Sequence, residues 1–240
     1  MALPMLDLPT YSVYIPSLDK EIKFRPFIVK EEKILLIALE SNDFNTILSS
    51  TKQVLQNCIV TEGVDVETLP LHELEFLFLN LRARSMGEQV ELEYVCENIV
   101  DDKKCKGQVM VQVDLLKAAL DLKKIKTTIQ LTDTVGIKLK FPTMDVSEIL
   151  ASKRTDIDTA IELIEKCTEY LFDAEQVYKP SEMAEGEFKE FISNLTQPQF
   201  MILQEFFDDI PKVKYESTAL CRKCRKEHRI YLEGLLDFFE

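Results

Sequence analysis

Two pairs of cysteines far apart in the chain restrict what it can fold into more than any other feature. Cys221 and Cys224 form a Cys-Arg-Lys-Cys turn inside the strand-like stretch Val213 to Leu232. Cys96 and Cys105 also lie between two strand-like runs, Gln89 to Val95 and Gln108 to Val113. A Cys-x-x-Cys turn sets two thiolates around one metal ion, and a tetrahedral zinc site needs two more ligands. The expectation is therefore one structural zinc held by Cys96, Cys105, Cys221 and Cys224, pinning the middle of the chain to its end.

The charge around these turns fits that reading. Four thiolates around one zinc ion leave a formal charge of about −2 on the centre. Lys103, Lys104 and Lys106 accompany the first pair, and Arg222, Lys223, Arg225 and Lys226 the second. The same residues would also suit a solvated turn, or a small patch for an acidic partner. The eight residues between Cys96 and Cys105 are a longer gap than such sites usually have. His228 is a possible substitute ligand, but its position places it on the strand after the turn. A thioredoxin-like dithiol would open a helix in a βαβ unit, where the helix dipole lowers the thiol pKa; here strands flank the motif. Cys58 and Cys167 lie on apolar helix faces and read as small buried hydrophobes.

The chain has 240 residues, 46% of them hydrophobic, enough for a real core and too apolar for disorder. A net charge of −13 argues against a general nucleic-acid binder, which carries a basic face. No apolar run reaches the length of a membrane span, and the N-terminus lacks the pattern of a signal peptide. A cytoplasmic origin is expected, and there cysteines serve as thiols or metal ligands rather than disulfides. Glycine is scarce, at six residues, and no Gly-rich phosphate-binding loop is present.

The fold expected is α+β, mostly helical with short β-hairpins, in a single compact unit spanning 1–240. Thr10 to Ile15 and Glu21 to Arg25 read as a hairpin ended by Pro26. Helices follow at Lys30 to Ser41, Phe44 to Val60 and Pro70 to Arg84, with Ile34, Leu35, Ile37, Ala38 and Leu39 as the apolar face of the first. Asp114 to Lys124 reads as a helical bridge. The order then returns: a hairpin from Lys126 to Phe141, a short helix at Asp145 to Ala151, a long one at Thr155 to Phe172, and two more at Ser181 to Asn194 and Gln197 to Asp209. Glu21-Ile22-Lys23-Phe24-Arg25 before Pro26 parallels Gly136-Ile137-Lys138-Leu139-Lys140 before Pro142, and Cys58 parallels Cys167. Two diverged copies, 10–120 and 125–235, joined by the zinc staple, account for this.

No catalytic constellation emerges. His72 beside Glu73 and Glu75 reads as a capping or surface residue. Asp101-Asp102 and Asp208-Asp209 read as solvated loop acids. The apolar stretches Leu235 to Glu240 and Met1 to Leu8 would dock on the core or clip onto a partner.

The run from Ile22 to Ser41 (Ile-Lys-Phe-Arg-Pro-Phe-Ile-Val-Lys-Glu-Glu-Lys-Ile-Leu-Leu-Ile-Ala-Leu-Glu-Ser), with the downstream cysteine hairpins, resembles the baseplate hub assembly proteins of T-even-like contractile-tailed phages. The resemblance implies a non-enzymatic role in virion assembly in the host cytoplasm, as a hub component or a factor that helps build the hub, with other baseplate hub proteins as partners and no catalytic residues; no small-molecule substrate or nucleic acid is expected. Without it, the residues describe a zinc-stapled acidic interaction protein. A zinc-ribbon adaptor for transcription machinery is the alternative.

Overall fold

A computed structural model describes residues 7–41, 43–121, 125–147, 149 and 156–238. In chain order its first half contains β1 (Tyr11–Ile15), β2 (Lys20–Phe24), α1 (Val29–Ser41), α2 (Phe44–Cys58), α3 (Leu71–Met86), β3 (Gln89–Val95), β4 (Ile99–Val100), β5 (Lys103–Lys104), β6 (Gln108–Asp114) and β7 (Ala119–Leu120). The second half contains β8 (Thr128–Gln130), β9 (Gly136–Leu139), α4 (Ile157–Cys167), β10 (Thr168–Phe172), β11 (Val177–Tyr178), α5 (Glu187–Ser193), α6 (Gln197–Asp208), β12 (Val213–Leu220) and β13 (Glu227–Glu233). The class is mixed α+β. The contacts divide the chain into two units, residues 1–66, 72–121 and 212–240 in one, and residues 67–71 and 122–211 in the other.

In the first unit, alternation along β1 and β2 turns Val13, Ile15, Ile22 and Phe24 inward. The strands are joined through Asp19, whose left-handed backbone (φ 48°) an Asp tolerates better than most residues. Further along, β3 pairs antiparallel with β6 from Gln89↔Asp114 to Val95↔Gln108. β12 lies between β13 and β7 in a three-stranded antiparallel sheet. Val109, Val111 and Val113 of β6, Leu79 and Ala83 of α3, Val213, Leu232 and Phe238 form one core together with Cys96, Cys105 and Cys221. The cysteine cluster is thus continuous with the hydrophobic core.

The second unit is built on an antiparallel sheet of order β11-β10-β9-β8. Ile137 and Leu139 of this sheet pack with Ile161 and Ile164 of α4, Phe188 of α5 and Leu203 of α6. Thr196 caps α6 in a reciprocal box with Gln199.

Strand replaces helix at two places. The bridge from Asp114 is only a 3-10 turn at Leu115–Lys117, after which Ala119 and Leu120 pair with Lys214 and Val213 of β12. Residues 122–124 lie outside the described set. The helix expected to reach Phe172 stops at Cys167, and Thr168–Phe172 becomes β10, paired with β9 and β11. Thr-Glu-Tyr-Leu-Phe carries β-branched and aromatic side chains, and the adjoining strands satisfy its backbone. The expected Ser181 to Asn194 helix is split into a turn at Pro180–Glu182 and α5, which starts after the left-handed Gly186. A 3-10 turn at Met144–Val146 leads into the short helix expected at Asp145 to Ala151, of which Ser147 and Ile149 are helical; 148 and 150–151 lie outside the described residues, as do 1–6 and 239–240 of the apolar ends.

α1 also departs from expectation. Of its apolar residues only Ala38 is fully buried, while Leu36, Ile37 and Leu39 are exposed. The buried polar member is Glu31, held by Arg25 at 2.9 Å and by the Ile28 amide at 2.9 Å. Desolvation pushes the Glu31 carboxyl up, but these two donors outweigh it and the net shift is down.

One arrangement recurs in the two units. Asp43 caps α2 by accepting the Thr46 amide and hydroxyl, and Asp156 caps α4 by accepting those of Thr159. Each helix ends in a buried cysteine, Cys58 or Cys167. The residue after that cysteine pairs with the last residue of the preceding hairpin, as Ile59↔Phe24 and as Thr168↔Leu139. The next backbone amide, Arg25 or Lys140, donates to the carbonyl of the same cysteine, at 2.9 and 2.7 Å. Burial pushes the Cys58 thiol up to about 11 and the Cys167 thiol up to about 12, so both behave as the small hydrophobes expected.

Candidate metal centre

The four cysteines of the two distant pairs meet inside the first unit. Their Sγ atoms all lie within 4.8 Å of one another, with Cys96 to Cys224 at 3.7 Å and Cys105 to Cys221 at 3.8 Å. Four sulfurs at zinc-ligand distance from one tetrahedral centre would be separated by about 3.8 Å, from a metal–sulfur bond of about 2.3 Å. A disulfide needs about 2.05 Å, and all six cysteines of the chain are free thiols. The group can hold one metal ion.

Both turns are built the same way despite their different lengths. The Cys96 amide donates to the Gly107 carbonyl at 2.8 Å, and the Cys221 amide to the Lys226 carbonyl at 2.9 Å. The Lys106 amide donates back to Cys96, and the Arg225 amide back to Cys221, each at 3.0 Å. Lys106 and Arg225, each following the second cysteine of its pair, are both left-handed, at φ 50° and 62°. The long first gap is therefore a short hairpin, β4 against β5, set into an otherwise equivalent turn.

Backbone donors surround the sulfurs. The Lys223 amide donates to Cys221 Sγ at 3.4 Å, and the backbone N–H groups of Asn98, Gly107 and Lys226 favour the thiolate at Cys96, Cys105 and Cys224. Cys221 also accepts from the Cys224 amide at 3.5 Å. N–H groups aimed at sulfur favour the thiolate, the form that binds metal. In the second turn this effect prevails. The Cys224 and Lys223 amides hold Cys221 below the ordinary thiol range, and the Lys226 amide carries Cys224 down to about 6. In the first turn desolvation prevails and pushes Cys96 up to about 12. Cys105 is raised for the same reason. Without a cation, four thiolates this close cannot all be charged in a buried site.

Three neighbours were not assigned roles from the sequence. His228 stands on β13 as expected, but its Nε2 lies 3.3 Å from the Cys96 sulfur. Asn98 aims its amide nitrogen at Cys224 at 3.7 Å and accepts from Lys226 Nζ at 3.0 Å. Gly107 is the closest constraint. A Cβ there would lie 2.6 Å from Cys221 Sγ, 2.6 Å from Lys223 Cβ and 3.3 Å from Cys105 Sγ. A glycine two residues after a cysteine, in a chain with only six, was the available signal.

The other residues considered do not form a second site. His72 is buried on α3 rather than exposed or capping, and burial pushes its imidazole down to about 4. Glu73 accepts the Ser17 amide at 2.8 Å. Asp101 and Asp102 form the left-handed tip between β4 and β5. A groove of about 440 Å³ runs between Lys117, Leu120 and Tyr215, and there Lys214 is engaged by Asp121 at 2.9 Å. Among the described residues, no helix is long and apolar enough to cross a membrane.

Against known proteins, residues 8–240 match the sequence signature described as T4 bacteriophage base plate protein. The chain belongs to this family. It is 23% identical over 226 residues to a protein described as baseplate hub assembly protein gp26 of Enterobacteria phage T4, covering 92% of this chain and 94% of that relative. No solved structure matches. The resemblance first seen in the run from Ile22 to Ser41 extends over nearly the whole chain, both cysteine turns included.

Proposed function

We propose that this baseplate-family chain is a non-enzymatic structural or assembly protein of a phage tail baseplate hub. It binds other hub subunits and carries one structural zinc ion on Cys96, Cys105, Cys221 and Cys224. The observation carrying the baseplate role is the family match over residues 8–240, joined by the end-to-end relative described as a hub assembly protein. Its site of action is the host cytoplasm during assembly, and from there the tail baseplate.

The zinc reading rests on the sulfur geometry and the equivalent turns. Four thiolates leave a tetrahedral ion no open position, so the metal would be structural and not catalytic. In that state His228 is an outer partner that donates Nε2–H to the Cys96 thiolate, as a ligand's neighbour often does. The recurring capped helix, buried cysteine and hairpin support descent from a duplication, with copies over 10–120 and 125–235.

Co-expression with the other hub proteins of the same phage tests the role. A stable complex with at least one is expected, and no complex with any of them would overturn it. Elemental analysis tests the metal: about one zinc per chain is expected, whereas iron, or metal retained when all four cysteines are serine, would refute it.

A further inference from the structure

The two metal-binding turns close with the same hydrogen bonds, yet the second uses two residues between its cysteines and the first uses eight. The metal geometry therefore does not need the insertion. Residues 97–104 form a separate tongue in which Ile99 and Val100 of β4 pair with Lys104 and Lys103 of β5. Asp101 and Asp102 at its tip both have positive φ, the backbone of a tight type I′ turn. This small hairpin holds Ile99 out in solvent at 69% exposure. Val95, Leu220 and Tyr231 on the neighbouring strands are exposed as well.

The face around the tongue is basic. From Leu220 to Ile230 five basic side chains stand against one acidic one, and all five are exposed. Lys103, Lys104 and Lys106 add to them. Among the described residues, Lys104 is the only one of these eight in an ion pair, with Glu97. In a chain of net charge −13 this is an island of opposite sign.

The complement is found on the same chain, in the other unit. From Asp156 to Glu190 there are eleven carboxylates and three basic residues. Asp158, Glu162 and Glu165 repeat at i, i+4 and i+7, on one side of α4, and all three are exposed; Asp158 pairs with Lys189 at 2.6 Å, which leaves Glu162 and Glu165 as the carboxylates the surface offers. Ile157 beside them is 69% exposed. The tongue's own charges balance, Glu97, Asp101 and Asp102 against Lys103, Lys104 and Lys106, so the basic excess lies on the second turn and β13 beside the exposed Ile99; that surface, and the exposed Ile157 among carboxylates, match in charge and character.

We propose that the tongue and its basic surround are a docking surface for a second copy of this chain, which presents the acidic side of its α4. The contact is heterologous, one surface meeting a different one, so each copy keeps a free end of each kind and association continues into a ring or an open row. The proposal rests on the zinc reading, because the metal fixes both turns in one face.

Sedimentation velocity of the full-length, zinc-loaded protein tests it, over a range of concentrations and at low and high salt. Species larger than the monomer are expected, increasing with concentration and receding in salt. Arg222→Glu with Arg229→Glu should weaken association about tenfold or more, and so should Glu162→Lys with Glu165→Lys. Mixing the two reversed proteins should restore it, because each then carries one intact or matched surface for the other. Ile99→Asp should weaken it without loss of zinc. A monomer at every concentration overturns the proposal, as does association that charge reversal does not touch. So does a monomer whose basic face instead captures a hub protein or a DNA duplex. Zinc content and hub binding measured on the same variants separate these failures from failure of the zinc or baseplate readings.

Discussion

Replacing Gly107 with alanine probes the metal centre without removing a ligand. The added Cβ would stand 2.6 Å from Cys221 Sγ and from Lys223 Cβ, and 3.3 Å from Cys105 Sγ. Ordinary contact distances are about 3.5–4.0 Å, so roughly an ångström must be found in two directions at once. Sulfurs bound to a metal tolerate only about 0.2 Å of bond-length change, and Lys223 is fixed by its Nζ bond to the Cys105 carbonyl at 2.9 Å. The backbone of β6 or the second turn must therefore shift, at a cost of about 1–3 kcal/mol. The assay is zinc affinity by chelator competition, with urea unfolding of zinc-bound and zinc-free protein. Gly107→Ala should weaken zinc binding by about tenfold or more and lower the zinc-bound midpoint. The penalty should shrink without metal, because the thiols are then free to separate. Gly63→Ala, at a left-handed position with open space around it, should cost about 1 kcal/mol and leave zinc affinity unchanged. Unaltered zinc affinity in Gly107→Ala would refute the reasoning.

Other outcomes follow from the same structure. Stripping the metal with a chelator, or Cys224→Ser, should lower the melting temperature on the order of 10 °C and expose the turn amides of Cys96, Lys106, Cys221 and Arg225 to exchange, read by hydrogen–deuterium exchange. Burial keeps His72 neutral down to about pH 4, while an unfolded chain takes up that proton near pH 6.5. Its contribution is intact at pH 7 and is lost as pH falls through that window, about 2 kcal/mol by pH 5. Burial raises the carboxyl groups of Glu73 and Glu75, which act in the opposite direction. The difference between the wild type and His72→Gln in urea unfolding at pH 7 and pH 5 isolates the histidine, and equal pH slopes would contradict it. Arg25→Met should strip Glu31 of its ion pair, costing about 2–3 kcal/mol after allowance for the partial exposure of Arg25. Chemical denaturation measures this directly, and a neutral result would show that the pair contributes nothing.

The cysteine centre was legible because its chemistry is local to each turn. Paired thiols, flanking period-two strands and clustered cations could be read from short windows, and pairing the pairs needed only the arithmetic of four ligands. What the windows did not contain was the hydrogen bonding between distant segments. Thr168–Phe172 continues an apolar helical pattern, and only the presence of β9 and β11 alongside makes it a strand. Ala119 and Leu120 likewise take their conformation from β12, almost a hundred residues away. The helix α1 was legible, but its inner face was not: of the expected Ile34, Leu35, Ile37, Ala38 and Leu39 only Ala38 is fully buried, with Glu31 on the inner side, while Leu36, Ile37 and Leu39 face out.

The four clustered cysteines arrive at very different times during synthesis. Cys221 follows Cys105 by 116 residues, and residues 122–211 of the second unit are translated between them. At about 5–20 residues per second the first two thiols wait roughly 6–25 seconds for the others. Until then the nascent chain holds only half of the cysteine cluster. A ribosome that stalls anywhere in the second unit releases a product that cannot close the site. Closure of the cysteine cluster thus coincides with completion of the first unit's core, and only a chain read past Cys224 can close it.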